Sequence, residues 1–279
     1  MPLVAANGLQ FHVQELGSGS TIVMVHGLLI GSLASWYFTA APALARAHRV
    51  RVYDLRGHGR SERALGGYDV RTMARDLEAL VADLDAPFDL VGHSWGALVA
   101  LRFALEHPGR VRRLVLVEAP LPPSSVTEMD GFFKADSMPP IRLASLGIAD
   151  ENPGPPSRPP PPEPWPERIL DALPEQLREL LASGGRRSER LLQSLKFLLI
   201  DSSLLKDLRA EVDLADAELA TLRCSCLLVY GTRSSCASAG DRLARVIPGA
   251  RHVVLPGGHF LHLDARAELT SLLEANLDG

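Results

Sequence analysis

The sequence predicts an α/β fold with a mostly parallel, doubly wound sheet, on the basis of three observations. Apolar runs of strand length alternate with segments of helical period along most of the chain. Runs such as residues 21–25 are apolar almost throughout, as expected for strands that are buried on both faces. The alternation breaks between residues 120 and 215, which predicts an insertion between two core strands. Strands separated by helices favour right-handed crossovers and therefore a parallel sheet.

The individual elements follow from apolar runs, helical periodicity and turn residues. Strands are predicted over residues 3–6, 10–16, 21–25, 50–55, 88–91, 113–117, 226–231 and 252–255, the first two as a hairpin. Helices are predicted over residues 35–47, 70–84, 97–106 and 241–246, followed by a last helix from about Asp264. The helix after residue 97 should stop near Pro108 and Gly109, which do not continue a helix.

The predicted domains are a core of residues 1–119 with 216–279 and an inserted cap of residues 120–215. Proline is dense over residues 153–166, which predicts an extended segment, and amphipathic stretches follow it. The insertion leaves the sheet at its C-terminal edge, where ligands of open α/β sheets bind. A helical cap over a ligand site is therefore predicted. Its candidate pocket residues are Phe132, Phe133, Met138, Trp165 and Phe197.

A serine between a predicted strand and a predicted helix is the candidate nucleophile. The segment from Gly92 to Gly96 reads Gly-His-Ser-Trp-Gly, with Ser94 at its centre. Such a turn holds the serine in a strained conformation and aims a helix N-terminus at its oxygen. Small residues on either side let the chain reverse there. The pattern predicts a nucleophile elbow at Ser94.

Two further motifs supply the other parts of an acyl-transfer site. His26-Gly27 follows a buried strand, and this motif is typical of loops that present a backbone N–H to an oxyanion. The predicted donors are the amides of Leu28 and Trp95. Near the C-terminus, Gly-Gly precedes His259 just after a strand, which makes His259 the predicted base.

With these motifs, the chain resembles the α/β-hydrolase superfamily along nearly its whole length. The matching landmarks also include Asp-Leu-Arg-Gly-His-Gly-Arg-Ser over residues 54–61 and Val-Tyr-Gly over residues 229–231. The resemblance implies an α/β-hydrolase fold. It says little about the substrate, because the scaffold carries esterases, lactonases, thioesterases, carbon–carbon hydrolases and cofactor-free peroxidases. A serine at position 94 argues against dehalogenase and epoxide-hydrolase chemistry, which use an aspartate nucleophile in this fold.

The acid of the triad is not where most relatives of this superfamily have it. In them it follows a late strand, shortly after a glycine like Gly231, but here the next carboxylate is Asp241. Glu118 ends the strand that follows the elbow helix, 24 residues after Ser94. This position resembles class II haloalkane dehalogenases and zearalenone-type lactonases, so Glu118 is the predicted acid. The alternative is a carboxylate that only binds loop amides. Asp54 is expected to anchor a loop, and Asp264 to face along the last helix.

Composition and charge set further expectations. The formal net charge of −4 gives no electrostatic reason to expect nucleic acid or membrane binding. The N-terminus lacks the pattern of a secretory leader, so a cytoplasmic protein is expected, as a monomer or homodimer. Cys224, Cys226 and Cys236 are interpreted as reduced, mostly structural thiols. No metal or organic cofactor is implied.

The function predicted from these features is a serine hydrolase that cleaves an apolar small-molecule ester or lactone through an acyl-serine intermediate. Two alternatives stay open. One is a thioesterase or acyltransferase with the same triad. The other is a non-hydrolytic, ligand-binding or lyase-like protein, suggested by the absence of an acid at the usual position.

Overall fold

A computed structural model describes residues 3–121 and 186–278 of the chain. Its contacts divide the chain into two compact units, residues 1–126 with 194–279 and residues 127–193. The proline-dense segment and four of the five candidate pocket residues, Phe132, Phe133, Met138 and Trp165, lie outside the described residues. The predicted cap boundaries, 120 and 215, stay a prediction.

The first unit contains an eight-stranded sheet. Its strands are β1 Leu3–Ala6, β2 Leu9–Leu16, β3 Ser20–Val25, β4 His48–Tyr53, β5 Phe88–His93, β6 Val111–Val117, β7 Ser225–Gly231 and β8 Arg251–Leu255. Their order in the sheet is β1-β2-β4-β3-β5-β6-β7-β8. Strands β1 and β2 form the predicted hairpin, β2 pairs antiparallel with β4, and the other neighbours are parallel. The predicted doubly wound, mostly parallel sheet is confirmed.

Helices are present in all the segments where the periodicity predicts them, and one of these predictions has the wrong extent. They are α1 Ala34–Tyr37, α2 Ala41–Leu44, α3 Val70–Leu80, α4 Trp95–Glu106, α5 Arg186–Lys196, α6 Leu204–Ala210, α7 Asp216–Leu219, α8 Ala237–Val246, α9 Leu261–Asp264 and α10 Arg266–Leu277. The single helix predicted over residues 35–47 was wrong, because Pro42 at the start of α2 cannot continue α1. The last predicted helix, from about Asp264, corresponds to α10, and the short helices α7 and α9 were not predicted.

The core of this unit lies on both faces of the sheet. All six residues of β5 are buried, as are the last four of β3 and of β6. Helix α4 is buried from its first residue to Ala104, which explains why its sequence is apolar around the whole helix. The C-terminal ends of β3, β5 and β6 are therefore anchored in a well-packed hydrophobic core.

Residues 197–212, within the predicted cap, belong to the first unit and contact its residues 63–70. A π-helical turn, Phe197–Asp201, precedes α6. The side chains of Asp207 and Glu211 accept hydrogen bonds from the backbone amides of Tyr68 and Val70, both at 2.8 Å. Phe197 is buried, and the guanidinium carbon of Arg63 lies 5.4 Å from the centre of its ring. Its predicted place in a pocket remains a prediction.

Over residues 3–121 and 186–278, the structure has no helix that is both long and apolar enough to traverse a lipid bilayer.

A buried ion pair between Arg56 and Asp76 allows a direct test of what stabilises this unit. Two hydrogen bonds of 2.6 Å join the side chains, and both residues are buried. Removing one partner leaves the other charge buried and uncompensated. We expect Asp76→Ala to lower the free energy of unfolding by about 3–5 kcal/mol in urea denaturation. The control is Arg46→Ala, which breaks the exposed pair with Glu274 and should cost at most about 1 kcal/mol. Equal losses in the two variants would contradict this account.

Candidate active site

The candidate site lies where the winding of the sheet reverses. Strand β3 lies between β4, which follows it in the chain, and β5, which comes after a second crossover. Ligand sites of open α/β sheets form at such a switch point, at the carboxyl ends of the strands. The loop that begins with His26 and Gly27 follows β3, and Ser94 follows β5. The His26-Gly27 motif and the turn with Ser94 therefore lie side by side at this edge of the sheet.

Ser94 occupies a strained turn between β5 and α4. Its backbone φ is 54° and its ψ is −127°, a combination that L-residues rarely adopt. A Cβ atom on Gly92 would lie 2.5 Å from Cα of Ala97, and one on Gly96 would lie 2.3 Å from the carbonyl oxygen of His26. Both glycines are therefore required by close packing around the serine. The geometry is that of a nucleophile elbow.

The loop after β3 is held beside Ser94 by buried histidines. A Cβ atom on Gly27 would lie 3.0 Å from Cβ of Ser94, so this loop packs against the serine. Leu29 has a φ of 65°, and its N–H donates to Nε2 of His58 at 2.9 Å. Burial lowers the pKa of His58 to about 3, which keeps Nε2 available as an acceptor. The backbone around Leu28, a predicted oxyanion donor, is thereby fixed.

Asp54 anchors neighbouring loops, as the sequence suggests. Its side chain accepts hydrogen bonds from the amides of Leu33 and Arg60, at 2.7 and 3.0 Å, and its Oδ2 lies 2.7 Å from Nδ1 of His12. Asp264 is different from the expectation: its carboxylate accepts from the amide of Gly258 at 2.8 Å instead of facing along the last helix. The reason is that α9 ends at Asp264, so its side chain turns back to the loop that precedes the helix.

Glu118 lies at the end of β6 with its carboxylate fully buried. Its φ is 52°, a second strained backbone at the same edge of the sheet. The amide of Gly231 donates to Oε1 at 2.5 Å, and the hydroxyl of Ser234 donates to Oε2 at 2.6 Å. Nδ1 of His259 lies 3.3 Å from Oε2. The structure therefore brings together the predicted acid and the predicted base.

His259 is also held from its other side. Nε2 of His93 donates to the carbonyl oxygen of His259 at 2.8 Å, and the two ring centres are 5.0 Å apart. Because His93 directly precedes Ser94, this bond links the elbow to the loop that carries His259. The side chain of His93 is itself buried.

Two residues near the site were not predicted to contribute to it. Ser234 occupies the region where most superfamily members carry the acid, and its hydroxyl binds Glu118 while accepting from the amide of Cys236 at 3.0 Å. Sγ of Cys236 lies 3.8 Å from Nδ1 of His259. The sequence interpretation of the three cysteines as reduced, mostly structural thiols did not include this contact. The sequence did contain a signal for this contact. Cys236 lies in the short loop after β7, and that loop must pass the end of β6, where Glu118 lies.

A group of buried, neutral histidines surrounds His259. Burial lowers the pKa of His93 well below its usual range and that of His262 to about 4. The ring centres of these two residues are 4.8 Å apart. In the unfolded chain, a histidine binds a proton near pH 6.5. At these two histidines the folded protein therefore binds fewer protons than the unfolded chain between about pH 4 and pH 6.5.

This difference predicts a loss of stability in mild acid. Stability from neutral His262 is fully present above about pH 6.5 and falls by up to about 1.4 kcal/mol per pH unit as the pH drops towards 4. We expect urea denaturation to show a shallower dependence in His262→Gln than in the wild-type protein. Arg46→Ala, which removes no histidine, should keep the wild-type slope. A His262→Gln slope equal to that of the wild type would contradict the assignment.

Comparison with known proteins agrees with this architecture. A family model described as alpha/beta hydrolase fold matches residues 20–137. A soluble epoxide hydrolase from Corynebacterium sp. is 36% identical over 143 residues, covering 50% of this chain and 46% of that protein. A 2-hydroxy-6-oxo-2,4-heptadienoate hydrolase from Pseudomonas putida is 37% identical over 121 residues, covering 42% and 44%. The matched part of the chain thus spans less than half the length of these relatives.

A solved structure extends the agreement to the whole chain. The enol-lactonase from Burkholderia xenovorans superposes with a TM-score of 0.70 at 21% identity, over 100% of both chains. At this identity the likeness concerns the fold. Together with the matched family model and the order of the eight strands, it shows that this chain has the α/β-hydrolase fold.

Proposed function

We propose that the protein is a serine hydrolase that cleaves a carboxylic ester or lactone through an acyl-serine intermediate. The observation that carries this proposal is the contact between Glu118 and Nδ1 of His259, at the sheet edge where Ser94 forms the elbow. A serine, a base and a buried carboxylate that orients the base are the parts that acyl transfer requires.

In the proposed mechanism, each residue has a distinct role. Because Nδ1 of His259 faces Glu118, Nε2 is the nitrogen that takes the proton of Ser94 as the serine attacks the carbonyl carbon. Glu118 fixes the ring and stabilises the imidazolium that forms. His259 then returns its proton to the leaving group. A water molecule, activated by the same nitrogen, releases the acid and regenerates Ser94.

The developing oxyanion would be bound by the amides of Leu28 and Trp95. Trp95 is the first residue of α4, and the first amides of a helix have no partner within the helix. Leu28 lies on the loop that packs against Ser94 and that His58 holds through Leu29. Two fixed donors next to the nucleophile stabilise a tetrahedral intermediate without reorganising during the reaction.

The substrate class rests on the nucleophile and on similarity of fold. An oxygen nucleophile with an oxyanion site acts on carbonyl carbon, which favours esters and lactones. The enol-lactonase is an example of a lactonase with this fold, so lactones are kept in the proposed class beside esters. Epoxide hydrolysis, the activity in the name of one relative, is not proposed for this chain. That reaction proceeds in this fold through an alkyl-enzyme formed on an aspartate, and this chain has Ser94 at that position.

A fluorophosphonate probe and a substrate panel test the proposal. The probe should label the wild-type protein and spare Ser94→Ala. The panel compares p-nitrophenyl esters, lactones, acyl-thioesters with and without an alcohol or amine acceptor, and a 2-hydroxy-6-oxo-2,4-dienoate. Turnover of esters or lactones supports the proposal. Preference for thioesters or for acceptors would instead indicate a thioesterase or acyltransferase, and absence of labelling would overturn serine catalysis.

A further inference from the structure

Three side chains of different chemistry, those of Glu118, Cys236 and His259, meet at the Nδ1 atom of the His259 ring. Nδ1 of His259 lies 3.3 Å from Oε2 of Glu118 and 3.8 Å from Sγ of Cys236. One potential ligand atom from each of the three residues lies within 4.8 Å of the other two. Glu118 and Cys236 are buried, and His259 is partly exposed. The proposed hydrolytic mechanism uses the contact between His259 and Glu118 and leaves the thiol of Cys236 without a role.

We propose that Glu118, Cys236 and His259 form an inhibitory binding site for a thiophilic divalent cation such as Zn²⁺ or Cd²⁺. Carboxylate, thiolate and imidazole are the three side-chain groups that bind zinc in proteins. Tetrahedral bond lengths for zinc place a nitrogen about 3.3 Å from an oxygen and about 3.6 Å from a sulfur. The distances of 3.3 and 3.8 Å are close to these two spacings, and the carboxylate oxygen and the sulfur lie within 4.8 Å of each other. A water molecule would complete four-fold coordination.

The neighbouring groups hold these ligands in place. The hydroxyl of Ser234 donates to Glu118 and accepts from the amide of Cys236, so one residue orients two of the three ligands. The amide of Gly231 fixes the other carboxylate oxygen. His93 holds the backbone of His259 through its carbonyl oxygen. Such outer hydrogen bonds orient metal ligands and raise the affinity of a site.

Coordination at Nδ1 has a chemical consequence for the base. The proton that Nδ1 carries in the neutral, catalytically useful tautomer moves to Nε2, and the thiol of Cys236 loses its proton to solvent. Nε2 then carries a hydrogen and cannot accept the proton of Ser94. This inhibitory effect rests on the proposed function, whereas binding of the metal does not.

Metal binding is therefore measured without reference to activity. Cd²⁺ is titrated into the protein, and the ultraviolet charge-transfer absorption of a cadmium–thiolate bond is followed, with Zn²⁺ as competitor. The wild-type protein should develop the band with one metal per chain. Cys236→Ser should lose the band and bind Zn²⁺ about 100-fold more weakly, because one of the three protein ligands is lost. Cys224→Ser is the matched control and should behave as the wild type, since Cys224 belongs to no such group among the described residues.

Inhibition forms the second measurement. Each variant is assayed in Zn²⁺ and in chelator, and the ratio of the two rates is compared. Zn²⁺ should suppress hydrolysis by the wild-type protein and by Cys224→Ser, and Cys236→Ser should lose this sensitivity. Circular dichroism verifies that the variants are folded.

The outcomes separate this inference from the proposed function. No thiolate band in the wild-type protein, or an equal band in Cys236→Ser, would overturn the metal site and leave the hydrolase proposal intact. A band that depends on Cys236 in a protein without hydrolase activity would support the site and overturn the proposed function.

Discussion

Replacing Ser94 with alanine is expected to lower kcat by about 10³-fold or more, with little change in folding. The oxygen of Ser94 is the proposed nucleophile. The substitution keeps a Cβ atom, so the strained turn with its φ of 54° and the packing against Gly27 are preserved. Steady-state rates on the best ester or lactone of the panel measure the effect.

The control for this variant is Ser225→Ala, at the exposed start of β7, which should keep the wild-type rate. Urea denaturation of both variants separates a loss of chemistry from a loss of structure. Near-full activity in a folded Ser94→Ala protein would show that the serine does not carry the reaction. Another group would then have to carry the hydrolysis, and the acyl-serine mechanism would be overturned.

Replacing Glu118 with glutamine is expected to lower kcat by about 10²- to 10⁴-fold and to leave KM little changed. The amide keeps the shape of the side chain but removes the charge opposite Nδ1 of His259. The glutamine side chain also does not favour the tautomer of His259 in which Nδ1 carries the proton and Nε2 acts as the base. If the variant is nearly as active as the wild type, Glu118 only anchors the loop through Gly231 and Ser234.

A second substitution makes this test sharper. Ser234→Asp in the Glu118→Gln background restores a carboxylate in the region where most superfamily members carry one, and part of the lost rate should return. Alone, Ser234→Asp should be harmful, because the hydroxyl it replaces lies 2.6 Å from the carboxylate of Glu118. Two carboxylates at that distance repel each other. If Ser234→Asp changes the rate equally in the wild-type and in the Glu118→Gln background, the idea that either position can supply the acid is contradicted.

Much of the site could be predicted because its parts follow strand ends. In a parallel sheet, the carboxyl ends of neighbouring strands lie at one edge, about 5 Å apart. The residues after β5, β6 and β8, namely Ser94, Glu118 and the loop with His259, are therefore expected at the same edge from their order in the chain alone. The contact between Glu118 and His259 agrees with this reasoning.

Side-chain contacts within loops could not be predicted in this way. The sequence shows that no carboxylate follows Gly231 closely, but it does not show that Ser234 binds Glu118 or that Cys236 lies near His259. Those contacts depend on the path of the loop between β7 and α8. That path is set by backbone hydrogen bonds, such as that from Arg233 to the carbonyl oxygen of Gly257 at 2.8 Å.

Local patterns in the sequence were sufficient to determine the alternation of elements, the parallel sheet and the elbow around Ser94, because periodicity and glycine requirements act over a few residues. The tertiary structure decided which polar groups surround His259. Glu118 is more than 110 positions from Ser234 and Cys236 in the sequence, and the pairing of β6 with β7 together with the path of the loop after β7 brings them together. Such contacts are set by the packing of the whole sheet, which no short segment encodes.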